Sequence, residues 1–515
     1  MPKPTLQPVS LHERIQTIDI IRGFALFSIL VVNFTVDVGA IEPWFGWSGA
    51  ADQLVYWTVE FFMNDKFLAI YAFLFGLGFS IQMLRAESRN SPFVIMYMRR
   101  LFILYLIGAI FQILTGEVDI LLDYAMVGVL LLLLHKIPTK ILPVLALLCV
   151  LVPTTREILN SKDLMQSSSS AVVSVDTAIL DGYVGVYERV GEPGRLNIIT
   201  REGNKIYNEG RSGKILLLAK SETVFGVEGN SDRFAFLKDS TGAVNKFVIH
   251  LANGNAIVCL KTQMDIQQAI KKMAEQRAAI LDQQKATQKK LTYKQSVVRN
   301  ASGFWNSLRN WSWNKFFWKG YNISEILPLF LLGLYTGRRK IFYETSSNRQ
   351  FLNKIKWWGL LIGGIGVAIN LGFSAWDYIN GIKWESHSPW TKFLVGSSWD
   401  FGVMIMALGY VAAFILFLEK ADMKKRLSFL APVGRMGLTN YLIQAILFVL
   451  VFNYGLNLDG KVGPFWRLML AFPAFAIIIF ISRWWFKRFR IGPFEWLWRS
   501  LTYWKIQPMR LKEKE

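Results

Sequence analysis

The stretch RIQTIDIIRGFALFSILVVN, residues 14–33, decides the class of this protein. It opens an apolar run at residues 17–36, which is about the length of helix needed to cross the hydrocarbon layer of a membrane. The run is too long for a secretory signal and has no small-x-small cleavage site, so we expect a retained first span. The whole chain agrees, because 52% of its 515 residues are apolar and only 18% are charged. A soluble globular, disordered or fibrous protein is therefore excluded.

Ten apolar runs are long enough to cross a membrane and stop at charges, prolines or polar clusters. They lie at residues 17–36, 66–84, 97–114, 119–135, 138–154, 321–337, 357–375, 398–418, 437–454 and 466–482. A shorter run at residues 53–63 predicts a re-entrant or interfacial helix before the second span. The sequence thus predicts an all-α polytopic membrane bundle of about ten transmembrane helices plus this short helix.

Basic residues are distributed unevenly between the two sides of this predicted bundle. With a cytoplasmic amino terminus, the cytoplasmic segments hold 28 Lys and Arg residues and the four short outer loops hold four. This is the positive-inside pattern, and it predicts that both termini are cytoplasmic. The net charge of +21 therefore reflects topology, so we expect membrane lipids and no nucleic acid as partners.

A long insertion, residues 156–319, is predicted to lie outside the cytoplasm between the fifth and sixth spans. After a linker at 156–170, residues 171–262 show short alternating strands with turn residues about every ten positions, as in a small antiparallel β barrel or sandwich. Residues 263–319 predict extracytoplasmic and interfacial helices. The remaining domains are the bundle halves at 1–155 and 320–490 and a cytoplasmic tail at 491–515. Cys149 and Cys259, the only cysteines, provide no disulfide framework.

Polar side chains inside predicted spans are candidates for function, because each costs about 2.5 kcal/mol or more in lipid. Asp19 and Arg22 share one face of the first helix and can pair, and Asn33 returns to that face about three turns later. Charged residues, including Lys66, lie at the break before the second span. Non-helical backbone at membrane depth is tolerated only where it is buried in protein or lines water. An internal salt bridge or a snorkelling end is the alternative for any one of these residues.

Two carboxylates open the fourth span, and two amides lie on the ninth. Asp119 and Asp123 are four residues apart on one face, next to Tyr124, so one of the pair could act as a proton-transfer group. Asn440 and Gln444 also share a face, beside Tyr441, and are candidate hydrogen-bond donors to an oxyanion.

Arginines lie where helices begin at the predicted cytoplasmic side. Arg99 and Arg100 lie one turn inside the third span, and Arg435 lies at the start of the ninth. A helix amino terminus combined with arginine favours an anion such as phosphate. Anchoring to lipid headgroups is the alternative for Arg99 and Arg100. The sequence shows no metal-binding motif and no catalytic motif of a soluble enzyme.

Six motifs, in order, resemble the YeiB family of bacterial membrane proteins. They are RIQTIDIIRGFALFSILVVN at 14–33, KFLAIYAFLFGLGF at 66–79, RR at 99–100, DILLDYAMVG at 119–128, GRMGLTNYLIQ at 434–444 and GPFEWLWRSLTY at 492–503. The family is grouped with transmembrane acyltransferases. The resemblance implies a bacterial inner-membrane protein that moves an acyl group from cytoplasmic acyl-CoA to an extracytoplasmic acceptor. It also implies a shared cavity lined by Asp19, Arg22, Asn33, Lys66, Asp119, Tyr124, Arg435, Asn440, Tyr441 and Gln444.

Three functions remain open from the sequence. The first is an acyltransferase. In it, the phosphates of acyl-CoA are bound by Arg99, Arg100 and Arg435, the base is Asp119 or Asp123, and no metal is needed. In the second, the chain is a non-catalytic subunit of an envelope complex that docks a partner through residues 171–300. Family members often have His upstream of the DIL motif where this chain has Phe111 and Gln112, which favours this alternative. The third function is a carrier for a small molecule or lipid.

Overall fold

The structure, a computed structural model, describes residues 15–36, 49–90, 92–116, 120–160, 175–210, 213–227, 232–251, 255–287, 292–310, 325–342, 345–380, 384 and 387–511. These residues form two compact units. The helical unit comprises the described residues of Met1–Pro153, Thr292–Ala368 and Ser397–Glu515, and the barrel unit comprises those of Thr154–Leu291 and Ile369–Gly396.

Most of the described chain is helical. The helices are α1 (Gln16–Thr35), α2 (Ala50–Phe62), α3 (Lys66–Ser88), α4 (Phe93–Thr115), α5 (Ile120–Leu134), α6 (Leu142–Asn160), α7 (Thr177–Tyr183), α8 (Ile266–Thr287), α9 (Tyr293–Arg309), α10 (Leu327–Arg338), α11 (Arg349–Asn380), α12 (Pro389–Leu418), α13 (Ala421–Arg426), α14 (Ala431–Arg435), α15 (Gly437–Phe448), α16 (Pro464–Phe486) and α17 (Pro493–Tyr503). A 3-10 turn at Leu427–Leu430 precedes α14, and a π-helical turn at Val449–Tyr454 extends α15.

Seven of the described helical segments are long and apolar enough to cross a membrane. They are Gln16–Thr35, Ala50–Ser88, Phe93–Thr115, Arg349–Asp377, Trp390–Leu418, Gly437–Tyr454 and Pro464–Phe486. The other predicted spans correspond to the shorter apolar helices Ile120–Leu134, Leu142–Leu151 and α10. Residues 117–119 and 311–324, which precede α5 and α10, lie outside the described residues. A multi-pass membrane protein is therefore supported, while the total of ten spans and the orientation stay predictions.

Glycines allow the helices of the helical unit to approach one another closely. A Cβ atom on Gly434 would lie 1.9 Å from the Asp19 carbonyl oxygen, so α14 can pack on α1 only without a side chain there. A Cβ on Gly76 would lie 2.1 Å from the Phe330 carbonyl oxygen, where α3 packs on α10. Small residues at helix contacts are typical of membrane bundles, in which van der Waals packing replaces the hydrophobic effect.

The inserted β domain is a closed antiparallel barrel of eight strands. Of the two architectures predicted, barrel and sandwich, the structure shows the barrel. Its strands are β1 (Gly185–Arg189), β2 (Leu196–Glu202), β3 (Lys205–Gly210), β4 (Gly213–Ala219), β5 (Val224–Val227), β6 (Arg233–Lys238), β7 (Val244–His250) and β8 (Ala256–Lys261). Consecutive strands pair, and β1 closes the barrel on β8 with Tyr187 opposite Lys261. The extracytoplasmic placement of the barrel stays a prediction.

Aromatic side chains fill the interior of the barrel. The Tyr183 ring stacks on the Phe236 ring with centroids 4.4 Å apart, and the centroid of the Phe247 ring lies 5.3 Å from that of Phe236. The Tyr187 hydroxyl donates to the Tyr183 carbonyl oxygen at 2.9 Å, so this buried polar group is satisfied. Cys259 also lies in this core, and burial raises the pKa of its thiol to about 11. The thiol is thus a packing group and a poor nucleophile.

Candidate functional site

A small acidic cavity lies within the helical unit. Its volume is about 120 Å³, and its walls include four carboxylates, Asp65, Asp123, Glu325 and Asp400. These residues come from four separate parts of the chain: the turn before α3, helix α5, the turn before α10, and helix α12. Acidic side chains that share one cavity can hold and exchange protons. We refer to it as the acidic cavity.

The break between α2 and α3 places Asp65 in this wall. The Val59 carbonyl oxygen accepts from the amides of both Met63 and Asn64, at 2.8 and 2.9 Å, which widens the last turn of α2. Asp65 then takes a left-handed conformation with φ of 61°, which Asp tolerates better than most residues. The chain turns there, and α3 starts at Lys66. The sequence predicted this break, and the structure confirms it.

Lys66 is fully buried beside the acidic cavity. Its ammonium donates to the Glu60 carbonyl oxygen at 2.8 Å and lies 4.2 Å from the centre of the Trp399 ring, which also lines the cavity. The Glu60 carboxylate accepts from the Asn64 amide at 2.8 Å. A hydrogen bond and a cation–π contact therefore hold the Lys66 ammonium against Trp399, in the wall of the acidic cavity.

Helix α5 contributes two of the predicted site residues. Asp123 and Tyr124 both line the acidic cavity. The Tyr124 hydroxyl donates to the Leu68 carbonyl oxygen at 2.9 Å, which ties α5 to the first turns of α3. Asp119, the other predicted carboxylate, lies outside the described residues, so its pairing with Asp123 stays a prediction.

A second group of polar side chains lies on the first helix and on the neighbouring face of α3. Arg22 lies 3.9 Å from Asp19, which confirms the pair predicted from their spacing. The Tyr71 hydroxyl donates to the Arg22 carbonyl oxygen at 3.0 Å. Tyr71 lies on α3, five residues beyond Lys66, so one helix carries side chains of both the acidic cavity and this group. Asn33, the third polar residue of the predicted stripe, is half-buried further along α1.

Each of the three predicted anion-binding arginines lies beside an aromatic ring. The Arg100 guanidinium is 3.7 Å from the centre of the Trp498 ring, and Arg99 is 5.8 Å from Trp504. Arg435 is 4.0 Å from the Phe486 ring. Its Nη2 donates to the Arg490 carbonyl oxygen at 3.4 Å. Each guanidinium thus lies within cation–π distance of a ring, which favours a fixed position of its charge.

The two amides of α15 are bonded within the chain. Asn440 Nδ2 donates to the Val433 carbonyl oxygen and to Ser482 Oγ, both at 2.9 Å. Gln444 Nε2 donates to the Leu26 carbonyl oxygen at 2.9 Å. Both side chains are buried, and their carbonyl oxygens have no hydrogen-bond partner among the described residues. Tyr441, between them in sequence, is half-buried.

A buried carboxylate that the sequence did not single out caps the start of α15. Glu495 accepts from the Thr439 amide at 3.0 Å and from the Thr439 hydroxyl at 2.5 Å. Burial raises the pKa of the Glu495 carboxyl, and the bonds from Thr439 oppose this shift. The Thr439 hydroxyl also accepts from the Phe494 amide at 3.1 Å, so this pair fixes α17 against α15.

The chain was then compared with known proteins. It is 27% identical to the uncharacterized protein YxaH of Bacillus subtilis, and the match covers 99% of each chain. Residues 336–505 match the model of a family described as a protein of unknown function (DUF418). The uncharacterized protein YeiB of Escherichia coli is 24% identical, over 95% of this chain and 96% of YeiB. These matches, which cover nearly the whole of YxaH and YeiB, support a YeiB-like family for the chain. No solved structure matches it.

A shorter relative of this YeiB-like protein is found in Bacillus acidopullulyticus. It is a 39.9 kDa protein from the amylase 3' region, 35% identical over 141 residues, which is 26% of this chain and 38% of that protein. The DUF418 match contains Asp400, Trp399 and Glu495, whereas Asp65 and Asp123 lie before it. The acidic cavity of this YeiB-like protein thus combines residues from inside and outside the matched segment.

Sequence reasoning missed Trp399 and two of the four carboxylates of the acidic cavity, and it did not use Asp65 as a site residue. Glu325 and Asp400 lie within predicted spans, at 321–337 and 398–418, so the rule that picked out Asp19 would also have found them. Asp65 was noticed only as part of the break before α3. Trp399 carried no signal, because aromatic residues are common throughout this chain.

The arrangement in this YeiB-like protein suits proton transfer and binding of an anion. Carboxylates around the cavity can accept a proton, and the buried ammonium of Lys66 beside Trp399 can stabilise a developing negative charge. Arginines stacked on rings can hold phosphate. In the barrel unit, His387 Nε2 lies 2.7 Å from Asp377 Oδ2, a second pair of the kind used in proton transfer.

Proposed function

We propose that the helical unit transfers an acyl group from acyl-CoA to an acceptor bound in the acidic cavity. One observation carries this proposal: four carboxylates line one cavity, and the buried Lys66 ammonium lies against Trp399 in its wall, in a bundle that is otherwise largely apolar. Charges in such surroundings are expensive and are usually retained for function. The resemblance of the YeiB family to transmembrane acyltransferases supports the same activity.

The donor would bind at the arginines. Arg99, Arg100 and Arg435 would hold the phosphates of acyl-CoA through charge-assisted hydrogen bonds from their guanidinium groups. This proposal places the three arginines at the cytoplasmic side, where acyl-CoA is available, and the acceptor at the other side. Asp19, Arg22, Asn33 and Tyr441 would line the route between the two.

The reaction would be a direct acyl transfer. A hydroxyl or amine of the acceptor attacks the thioester carbonyl carbon and passes its proton to Asp123, or to Asp119 as the alternative base. The new C–O or C–N bond forms, the C–S bond breaks, and the thiolate of coenzyme A leaves and takes up a proton. Lys66 would stabilise the oxyanion between these steps. We prefer Lys66, because its ammonium has three N–H groups and donates one to the Glu60 carbonyl oxygen. The amide of Asn440 already donates both of its N–H groups within the chain, and that of Gln444 donates one of two.

Turnover of radiolabelled acetyl-CoA by the purified full-length protein tests this proposal. Asp123→Asn removes the base while keeping the shape of the side chain, so we expect turnover to fall by about 100-fold or more. Asp422→Asn, on the exposed helix α13, is the matched control and should leave the rate unchanged. Isothermal titration calorimetry provides the second measurement. If the wild-type protein binds no acyl-CoA, the proposed function is wrong.

The second candidate function is a non-catalytic subunit that docks an envelope protein through residues 171–300. One observation favours it: Val190, Val258 and Leu260 form an apolar surface on the barrel, with 58%, 37% and 47% of each residue exposed. Val190 donates its amide to the Val258 carbonyl oxygen at 2.9 Å, so these side chains are neighbours. Purification in gentle detergent distinguishes the candidates. A stoichiometric partner that is lost in Val258→Glu, without thioester turnover, would support the subunit.

A further inference from the structure

A second, larger cavity opens between α11 and α12. Its volume is about 460 Å³, and it is lined by Arg349 and Lys356 on one side and by Tyr410, Phe414 and Lys420 on the other. Tyr410 follows Asp400 by ten residues on α12, which is about 15 Å along a helix, so this cavity is separate from the acidic cavity. We call it the basic groove. It belongs to the helical unit and is not used in the proposed function.

The way the two helices cross creates the groove. A Cβ atom on Gly359 would lie 2.7 Å from the Gly409 Cα atom, and one on Gly363 would lie 2.6 Å from the Met406 amide nitrogen. The backbones are therefore in direct contact at these levels. Beyond Gly359 toward Arg349, large side chains such as Phe414 replace glycine, and the space between the helices opens.

The rim of the basic groove is positively charged. Arg349, Lys356 and Lys420 line it, and the nearby carboxylate of Glu419 lies 3.8 Å from Arg349. Arg349 is nevertheless 69% exposed, and its ion pair with Glu419 is long. Three cations near one carboxylate leave an excess of positive charge at this end of the groove.

The floor of the basic groove is apolar. Ala413, Phe414, Leu416 and Phe417 line it. Phe414 is held in place by the Phe24 ring of α1, with centroids 4.8 Å apart. Phe417 is 45% exposed. A basic rim above an apolar floor matches an amphipathic anion.

We propose that the basic groove binds one anionic phospholipid. The phosphate would lie among Arg349, Lys356 and Lys420, and an acyl chain would cover Phe414 and Phe417. Basic pockets between transmembrane helices are known to bind anionic lipid headgroups. A small soluble anion would satisfy the rim alone, whereas a phospholipid satisfies the rim and the floor together. Charge complementarity and the apolar floor therefore select the same ligand.

Native mass spectrometry of the full-length protein tests the proposal. The probes are dioleoyl-phosphatidylglycerol and dioleoyl-phosphatidylcholine, which have the same acyl chains and differ in headgroup charge. We expect one phosphatidylglycerol to bind at least about tenfold more tightly than phosphatidylcholine, as expected if several cations contact one phosphate. The triple variant R349Q/K356Q/K420Q should lose this preference.

The matched control is K424Q/K425Q/R426Q on α13, which removes the same charge from three residues that are not buried and do not line the groove. It should keep the preference, and equal loss in both triple variants would show general surface attraction and overturn the proposal. Ala413→Trp fills the floor without a change of charge and should weaken both lipids in a protein that remains monodisperse. Unchanged lipid binding in either groove variant would also overturn it.

Competition with coenzyme A shows whether the basic groove binds lipid or the acyl donor. If coenzyme A displaced phosphatidylglycerol, the groove would be a donor site and the lipid proposal would be wrong. If phosphatidylglycerol stays bound while thioester turnover is absent, the lipid site stands and the proposed acyl transfer fails. The two proposals can therefore be rejected separately.

Discussion

The helical unit and the barrel bury polar groups in opposite ways. In the helical unit, Lys66 is completely buried, and Asp19 and Glu60 are only 7% and 6% exposed. In the barrel, the buried Asn197 and Asn208 bond to each other at 3.0 Å, and neither carries a charge. The barrel interior is otherwise built from aromatic and aliphatic side chains.

This difference indicates where the chemistry takes place. An uncharged pair whose hydrogen bonds are satisfied costs little to bury, and here Asn197 Oδ1 also accepts from Arg189 Nε at 3.0 Å. Buried charges are costly even when paired, and folds seldom retain them for stability alone. We therefore place the candidate active site in the helical unit, and we expect that the barrel can be altered without loss of the proposed chemistry.

The largest expected effect is in the barrel core. Phe236→Ala removes the ring that packs on Tyr183, Phe225 and Phe247, so we expect a loss of about 3–5 kcal/mol in the barrel's free energy of unfolding. Hydrogen exchange of strands β5 to β7 measures it. Leu237→Ala, one residue further along and 39% exposed, is the control and should cost less than about 0.5 kcal/mol. If Phe236→Ala abolished thioester turnover while the helices stayed protected, the proposed division of roles would fail.

The next effect concerns the helical unit. Lys66→Met keeps most of the buried stem but removes the ammonium, so we expect kcat for acyl transfer to fall by about 100-fold. The melting temperature and steady-state kinetics would be measured on the same preparation. Lys425→Met, at an exposed position of α13, should leave both unchanged. A normal kcat in Lys66→Met would mean that the lysine only offsets the carboxylates around it.

Much of the fold could be predicted from local patterns. The break between α2 and α3 followed from polar residues between two apolar runs, and the barrel followed from turn residues at regular spacing. The Asp19–Arg22 pair followed from helix periodicity and is confirmed at 3.9 Å. Each of these features depends on residues close together in the sequence, so one stretch of chain contains the whole signal.

The composition of the acidic cavity could not be predicted in the same way. Asp65 and Asp400 meet because α3 and α12 pack side by side, and no spacing along the chain encodes that contact. The sequence could flag Glu325 and Asp400 as costly in a span, but it could not show that they share one wall with Asp123. The same limit applies to the stacking of Arg100 on Trp498, nearly four hundred positions away.

A smaller effect is expected at the cap of α15. Thr439→Val keeps the shape but removes the hydroxyl that bonds Glu495, so a buried carboxylate loses a donor and we expect a cost of about 1–3 kcal/mol. Thermal unfolding in detergent measures this loss. The control is Thr35→Val, because the Thr35 hydroxyl donates at 2.7 Å to the Val31 carbonyl oxygen of its own helix and should matter little. Equal losses in the two variants would show that the Glu495 contact has no special role.

The smallest effect is expected at an exposed turn of the barrel, between β6 and β7. Asp239 Oδ1 accepts from the Thr241 hydroxyl at 2.6 Å, the Thr241 amide at 2.9 Å and the Ala243 amide at 3.1 Å. These hydrogen bonds lower the pKa of the Asp239 carboxyl below its ordinary value, and the bond from the Thr241 hydroxyl contributes most.

Because this pKa is lowered by folding, the carboxylate stabilises the turn at any pH above the ordinary value for Asp, and the contribution is lost as the pH falls through the lowered value. Amide exchange of residues 239–243, corrected for intrinsic rates, should therefore accelerate on acidification. Asp239→Asn should remove this pH dependence, since its amide cannot ionise. Asp239→Asn should not change thioester turnover at the acidic cavity. A change in turnover would contradict the proposal that the two units act independently.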